Sequence, residues 1–380
     1  MPRLGLYLHI PFCVRKCRYC DFYSAPTDKG ARTAYVRALC RHLAAVAPDL
    51  RDYTVDTVYF GGGTPTLLDS GDFQSILDTV RGCLSLERDA EITAECNPVT
   101  NAAGLMEGLL CAGVNRLSIG LQSTHEGELK LLGRPHGYGE FLSTYSAARQ
   151  AGFDNISVDL MFGIPDQTVR SFGQTLDAVT ALSPEHISAY GLRIEEGTPF
   201  YRMRQELTLP DEDAEAEMAE MVAARLTAAG YAHYEISNYA RAGLRSRHNM
   251  RYWLGEDYLG FGPGAHSYLR GVRFETAPDT AAYLLAVERG DFESLRQNPV
   301  PIAGKEQKDE YVMLRMRLFD GVELADFSHR FGTSFEKEYG DVTPLVQGGF
   351  LVKTPHRIAF TEKGMRVSNT ILSDWLDFGK

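Results

Sequence analysis

Across its first two hundred residues the chain repeats one alternation six times. A β-branched or apolar run ends in a polar or glycine-rich turn, and a stretch with helical spacing follows. The runs are LGLYLHI (4–10), VDTVYF (55–60), AEITAEC (90–96), NRLSIGL (115–121), NISVDLMF (155–162) and EHISAYGL (185–192). Between them, segments such as 31–47, 73–84, 102–113 and 141–152 carry apolar residues at helical intervals. The last two end in glycine, a common helix stop. Strands alternating with helices predict a parallel sheet, because each crossover returns the chain to the same end of the sheet. Eight such units close a full barrel, so six predict an α/β fold with a partial (β/α)6 barrel. Sheets of this kind put their chemistry at the carboxyl ends of the strands, where each run here meets a distinctive polar loop.

The character changes after about residue 207. Residues 209–230 read as an acidic-started helix stopped by Gly230. Residues 234–268 are rich in Tyr, Gly and Asn, too aromatic for an idle linker, and are expected to pack across the open side of the sheet. Beyond residue 307 a helix, hairpin, helix pattern predicts a smaller winged-helix-like α+β domain. The expected organisation is therefore 1–230, the partial barrel; 231–306, a connecting segment; and 307–380, the C-terminal domain. At 380 residues a second unit is natural, since single cores usually stop growing near 250 to 300 residues.

A formal charge of −11 argues against a nucleic-acid partner, which would need clustered Lys and Arg. No run of about 18 apolar residues offers a bilayer span. His9 and Pro11 interrupt the opening apolar run, so no secretory signal is read there. Four of the seven cysteines (Cys40, Cys83, Cys96 and Cys111) are scattered singly, which suits a reducing cytoplasm, the expected location.

The other three cluster in HIPFCVRKCRYCDF (9–22) as Cys13, Cys17 and Cys20. A structural zinc ion wants four ligands and a disulfide two. A [4Fe–4S] cube held by three thiolates keeps one iron open to a further ligand. Zinc with His9 as a fourth ligand, or three unconnected thiols, are the alternatives; the spacing favours the cube, since closed zinc sites usually pair two ligand knuckles. The glycines of GGGTP (61–65) remove β-carbons where a backbone could approach a ligand, or simply make a tight turn. Glu95 ends the third strand, and a carboxylate at a partly desolvated mouth is costly unless a cation meets it. An ammonium at about 4 Å would attract it by on the order of 4 kcal/mol before desolvation. Gln122, Arg134 and Asp159 add an amide, a guanidinium fork and a hydroxyl acceptor after later strands.

The Cys-x3-Cys-x2-Cys loop opening a six-unit βα sheet resembles the radical S-adenosylmethionine (SAM) superfamily. YLHIPFC, GGGTPT, SIGLQS, LGRPH and DLMFGIP are similar to its coproporphyrinogen dehydrogenase-like branch, over essentially the whole chain. The resemblance implies a [4Fe–4S] cluster on Cys13, Cys17 and Cys20 whose open iron chelates SAM. It also implies an electron donor to the cluster and cleavage of SAM to methionine and a 5′-deoxyadenosyl radical. SAM contacts are implied at Tyr7, Gly62, Gly63, Thr64, Glu95, Gln122, Arg134 and Asp159.

Within that branch, resemblance leaves a porphyrinogen-decarboxylating enzyme and a haem chaperone. The enzymes carry a fourth cysteine where Phe22 stands, and a longer extension than the twelve residues ahead of Cys13. HNMRYW (248–253) fits the HNxxYW pattern of the chaperones and implies haem binding at His248. Trp253 and Tyr252 offer flat faces for a porphyrin, and Arg245, Arg247 and Arg251 could meet its propionates. Read from the residues alone, His248 could equally be a hydrogen-bonded structural group, and His266 competes with it. The expected function is a haem chaperone that passes haem to acceptor proteins and carries a SAM-binding cluster. The alternative is a radical SAM enzyme acting on a porphyrinogen or another small molecule; no residue is assigned a catalytic role. An open sheet and an exposed haem would both favour a homodimer.

Overall fold

The computed structural model describes residues 1–98 and 102–376. Strands β1 (Arg3–Ile10), β2 (Thr54–Gly62), β3 (Leu86–Cys96), β4 (Arg116–Gln122), β5 (Ile156–Phe162) and β6 (His186–Gly191) lie side by side in chain order. All are parallel. Helices α1 (Lys29–Val46), α2 (Ser70–Cys83), α3 (Ala103–Ala112), α4 (Glu126–Leu132), α5 (Tyr138–Ala151) and α6 (Val169–Leu182) fill the crossovers. The partial barrel predicted from the alternation is the observed fold.

Each strand is two-faced. Leu4, Leu6 and Leu8 of β1, Val58 and Phe60 of β2, and Leu117, Ile119 and Leu121 of β4 enter one large core. Phe60 meets Phe73 of α2 at 4.7 Å between ring centroids. The intervening positions carry Tyr7, Thr57, Tyr59, Glu91, Glu95, Arg116, Ser118 and Asp159. Period-two alternation turns these away from the helical shell. The concave face is therefore lined by polar and aromatic groups, and its upper rim is the natural site.

The segment 231–306 is not a connector, and this corrects the expectation. After α7 (Pro199–Met203) and α8 (Glu212–Ala228), strands β7 (Ala232–Glu235) and β8 (Asn238–Ala240) extend the sheet beyond β6. The chain then forms α9 (Arg247–Leu254) and returns to the opposite edge. There β9 (Tyr258–Phe261) pairs parallel with β1. β10 (His266–Leu269), β11 (Val272–Glu275) and β12 (Gln297–Pro301) follow antiparallel, with α10 (Thr280–Arg289) between the last two. The sheet order is β12-β11-β10-β9-β1-β2-β3-β4-β5-β6-β8-β7. Pairing covers the backbone groups that the edges of β1 and β6 would otherwise expose. Strands of three to five residues are too short to show a period, which is why the sequence hid them.

Helix α9 lies on the concave face, held by four local devices. Glu91 accepts the backbone N–H groups of Arg247 and His248 at 2.9 and 3.0 Å, a carboxylate at a helix N-terminus. Ser246 caps the helix through Asn249 N–H. Gly255 ends it in the left-handed region at φ 60°. Arg251 pairs with the buried Asp56 of β2.

Residues from α11 (Gly304–Arg315) onward have their own core. A three-stranded sheet, Val322–Glu323, Arg357–Phe360 and Leu351–Lys353 in that order, gives the expected winged-helix-like α+β domain. It docks on the β7 edge: Phe319 N–H donates to Tyr234 O at 3.1 Å, and Arg366 pairs with Glu220 at 2.6 Å. Among the described residues no helix is long and apolar enough to cross a membrane.

Candidate functional site

The loop after β1 is pinned at the rim by backbone hydrogen bonds. Cys13 N–H donates to Ala25 O at 3.1 Å, Ala25 N–H to Pro11 O at 2.9 Å, and Arg18 N–H to Leu132 O at 2.9 Å. Cys17 is buried, Cys13 and Cys20 half-buried, and all three line one cavity of about 1770 Å³. Burial pushes the Cys20 thiol up to about 11, and the nearby Cys17 and Cys13 add to the rise. Three thiols crowded at one mouth fit a polynuclear group in which each thiolate takes its own iron. A closed zinc site with His9 is not formed. The His9 ring turns away, Nε2 2.9 Å from Tyr23 O and Nδ1 3.1 Å from Tyr7 Oη. Among the described residues no three His, Cys, Asp or Glu side chains gather round one ion.

The glycines at the end of β2 have a packing reason first. A Cβ on Gly62, at φ +109°, would stand 2.7 Å from the His9 ring, and one on Gly63 would stand 2.5 Å from Phe12 O. Stripped of side chains, this turn lets the cluster loop lie directly on the strand end and leaves Gly62 and Gly63 facing the cavity.

Around that turn the rim residues converge. Glu95 accepts Tyr59 O–H at 2.9 Å and Gly62 N–H at 3.2 Å. Burial pushes its carboxyl up to about 7, with Asp159 adding to the rise. Asp159 accepts the Ser118 hydroxyl at 3.1 Å, and burial raises its carboxyl too. Gln122 has φ 73°, where the β4–β5 register slips between Gly120 and Gln122. A non-glycine held there costs about 1–3 kcal/mol and turns its amide into the mouth.

Arg134 donates from Nη2 to Asn97 Oδ1 at 2.6 Å and Gly120 O at 2.5 Å, and from Nη1 toward Cys17 Sγ at 3.7 Å. Asn97 Nδ2 donates to Thr64 Oγ1 at 2.7 Å, and Thr64 lies 3.5 Å from Cys13 Sγ. A hydrogen-bonded arc thus runs Cys17, Arg134, Asn97, Thr64, Cys13. Asn97 was not singled out in the sequence; its place two residues after Glu95 at a strand end was the available signal.

Cys13, Cys17, Cys20, Gly62, Gly63, Thr64, Glu95, Gln122, Arg134 and Asp159 all line this cavity. Tyr7 does not line it. It lies beneath, its hydroxyl on His9 and its ring 6.2 Å from that of Tyr59.

His248 lies deeper still, 1 % exposed on the floor of the barrel. Its ring stacks on Tyr59 at 5.1 Å; Nδ1 is 2.8 Å from Thr57 Oγ1 and Nε2 2.9 Å from Tyr252 Oη. Burial, with Arg251 and Arg116 nearby, drives its pKa down to about 3, so the ring is neutral. Neither nitrogen is open to an iron while α9 stays seated. The arginines proposed for propionates are already paired: Arg245 with Asp320, Arg247 with Glu87, and Arg251 with Asp56. Trp253 lines a separate pocket of about 210 Å³ with Tyr268, Tyr311 and Phe331. His266 is exposed, its Nε2 3.6 Å from Glu275.

Residues 7–179 match the Radical SAM superfamily and residues 302–367 the HemN C-terminal domain. The chain is 34 % identical to "Heme chaperone HemW" of Bacillus subtilis (strain 168), covering 97 % of this chain and 98 % of that protein. It is 35 % identical to the protein of that name from Escherichia coli (strain K12), covering 99 % of each. Among solved structures it is similar to coproporphyrinogen III oxidase (HemN) from Escherichia coli, titled a radical SAM enzyme. That TM-score is 0.86 at 22 % identity, over 99 % of this chain and 90 % of the other, and the likeness carries the fold.

Proposed function

Since the chain belongs to the radical SAM superfamily, and within it to the family of the HemW haem chaperones, we propose that it is a cytoplasmic haem carrier. It would bind haem, pass it to acceptor proteins, and carry a SAM-binding [4Fe–4S] cluster. The observation that carries this reading is identity of about one third, end to end, with relatives named haem chaperones. Phe22 in the cluster loop supports it against the porphyrinogen enzyme.

Cys13, Cys17 and Cys20 would hold the cluster, with Arg134 positioned by Asn97 to neutralise the buried Cys17 thiolate. When bound, the reduced cluster supplies the electron that cleaves SAM. Glu95 would accept from the SAM amine, Asp159 would meet the ribose hydroxyls, and Gln122 and Arg134 its polar groups. Gly62, Gly63 and Thr64 would let the ligand lie against backbone, with Tyr7 supporting them from below. Val14 and Phe22, exposed beside the cluster, offer a contact for the electron donor, and homodimerisation belongs to the same proposal.

Haemin titration of the anaerobically reconstituted protein, followed by its visible band, tests the carrier. Saturable one-to-one binding is expected. Absence of binding, together with decarboxylation of coproporphyrinogen III, would replace the carrier with the enzyme.

A second expectation concerns Glu95. Its carboxyl sits near 7 without a counter-charge, and N–H groups donated to it by the SAM amine favour the ionised form. SAM binding should therefore release a proton, and affinity should climb as pH rises from 6 toward 8, levelling above the Glu95 pKa. Glu95→Gln should bind about ten- to hundredfold more weakly, the 1.5–3 kcal/mol of a charged hydrogen bond, and lose that slope. Calorimetry at several pH values reads both; an unchanged slope in the variant would place the proton elsewhere.

A further inference from the structure

The geometry points to a seat for the haem: the outer half of the same cavity, between α8 and the C-terminal domain, with His233 presenting the axial nitrogen. This rests on the haem-carrier reading above and names the site that reading lacks.

The cavity is the first ground. About 1770 Å³ exceeds the roughly 300–1,000 Å³ that a single drug-sized ligand fills. Its inner half is the polar rim of Glu95, Gln122 and Asp159. The outer half has a different lining: Ala216, Ala219 and Ala223 of α8 on one side, with Glu212, Glu215 and the Arg366-paired Glu220 beside them, and Tyr239 and Met365 on others. Small side chains on one helix leave a shallow apolar wall, the shape a planar macrocycle needs.

His233 is the independent ground. It stands on β7, lines this half of the cavity and is 9 % exposed. Its ring stacks on Tyr239 at 4.0 Å and 15° and lies 4.2 Å from the Phe319 ring. Nδ1 is 2.9 Å from Glu362 Oε1. A carboxylate acceptor fixes the proton on Nδ1 and leaves Nε2 with its lone pair. That Nε2 is buried and has no hydrogen-bond partner. A buried nitrogen without a partner is destabilising, and a ligand there would relieve it. A histidine whose other nitrogen donates to a carboxylate is the usual arrangement of a metal ligand. His248 has the opposite character, with both nitrogens bonded.

The periphery fits carboxylates. Arg193 lines the cavity, is exposed, and has no ion pair among the described residues. It lies near enough to Arg317 to press on that group's charge. Arg317 in turn donates to Ser368 and Asn369, which line the cavity too. A propionate beside Arg193 would relieve this repulsion. Because Glu362 comes from the C-terminal domain and His233 from the sheet, the site would loosen if the domain lifted.

The test is a haemin titration of full-length reconstituted protein, comparing the parent with His233→Ala, His233→Gln and His248→Ala. Both His233 variants should lose at least tenfold in affinity or shift the visible band, and added imidazole should restore the band in His233→Ala. His248→Ala, if it still melts cooperatively, should keep the parent's band position. Glu362→Gln, a positioning change, should shift the band of the ferrous form without abolishing binding. Unchanged binding and band in both His233 variants would overturn the site while leaving the carrier intact. Failure of the parent itself to bind haemin would overturn the carrier and this site with it.

Discussion

Replacing Cys13, Cys17 and Cys20 together with Ala should leave anaerobically reconstituted protein without iron or sulfide, where the parent takes up about four irons per chain. The three thiols share the cavity mouth, and the loop carrying them is tied by Cys13 N–H to Ala25 O and by Arg18 N–H to Leu132 O. Those ties are backbone bonds, so the triple variant should keep its fold and its melting transition. Loss of iron can then be read as loss of ligands. Cys17→Ala alone should be the most damaging single change. It removes the thiol that Arg134 faces, leaving a guanidinium whose Nε already lacks a partner. Iron and sulfide assays, with the visible absorbance of the cluster, decide it. Four irons in the triple variant would mean that other residues hold the cluster.

The second large effect is on stability. Asp56→Ala should cost about 3–5 kcal/mol, read as a fall in the denaturation midpoint at constant slope. Arg251 and Asp56 have side chains only 3 % and 7 % exposed, and they join α9 to β2 across the concave face. Removing the carboxylate leaves a guanidinium in the interior with Glu256 at 3.3 Å as its remaining carboxylate. Space is tight there, since a Cβ on Gly5 would stand 2.6 Å from Arg251 Cδ. A half-exposed pair makes the contrast: Asp326→Ala breaks the i, i+4 bridge to Arg330 and should cost about 0.3–1 kcal/mol, apart from its bond with Tyr311. Equal losses in the two variants would show that burial gives the Arg251 pair no special weight.

Legibility followed the range of the contacts. Gly113 and Gly152 stop their helices in the left-handed region at φ 106° and 107°, because a helix stop is decided within a few residues. The candidate rim was legible for a related reason. Cys13, Glu95, Gln122 and Asp159 each end or follow a strand, and parallel strands bring every such position to one rim whatever the packing details. The polar positions inside those apolar runs, Thr57, Arg116 and Ser118 among them, stand out as exceptions to the pattern, and the sheet gathers them on one face.

What escaped was non-local. Strands β7 to β12 are short and irregular; they exist because β1 and β6 offer edges to pair with, a condition no window of sequence contains. The HNxxYW stretch reads as a ligand motif, yet His248 is held by Thr57, 191 residues earlier, and so is closed. The Arg251 side chain that looked ready for a propionate is committed to Asp56. His233 looked ordinary because its partner Glu362 lies 129 residues away.

The sequence by itself determined the six-unit parallel sheet, the three thiols at its mouth and the order of polar groups along its rim, since these depend on local pattern and on the geometry every βα repeat shares. Only the tertiary structure decided which histidines have a buried nitrogen to spare, His136 and the cavity-lining His233 among the described residues, because hydrogen-bond satisfaction belongs to partners that meet only when the chain has closed.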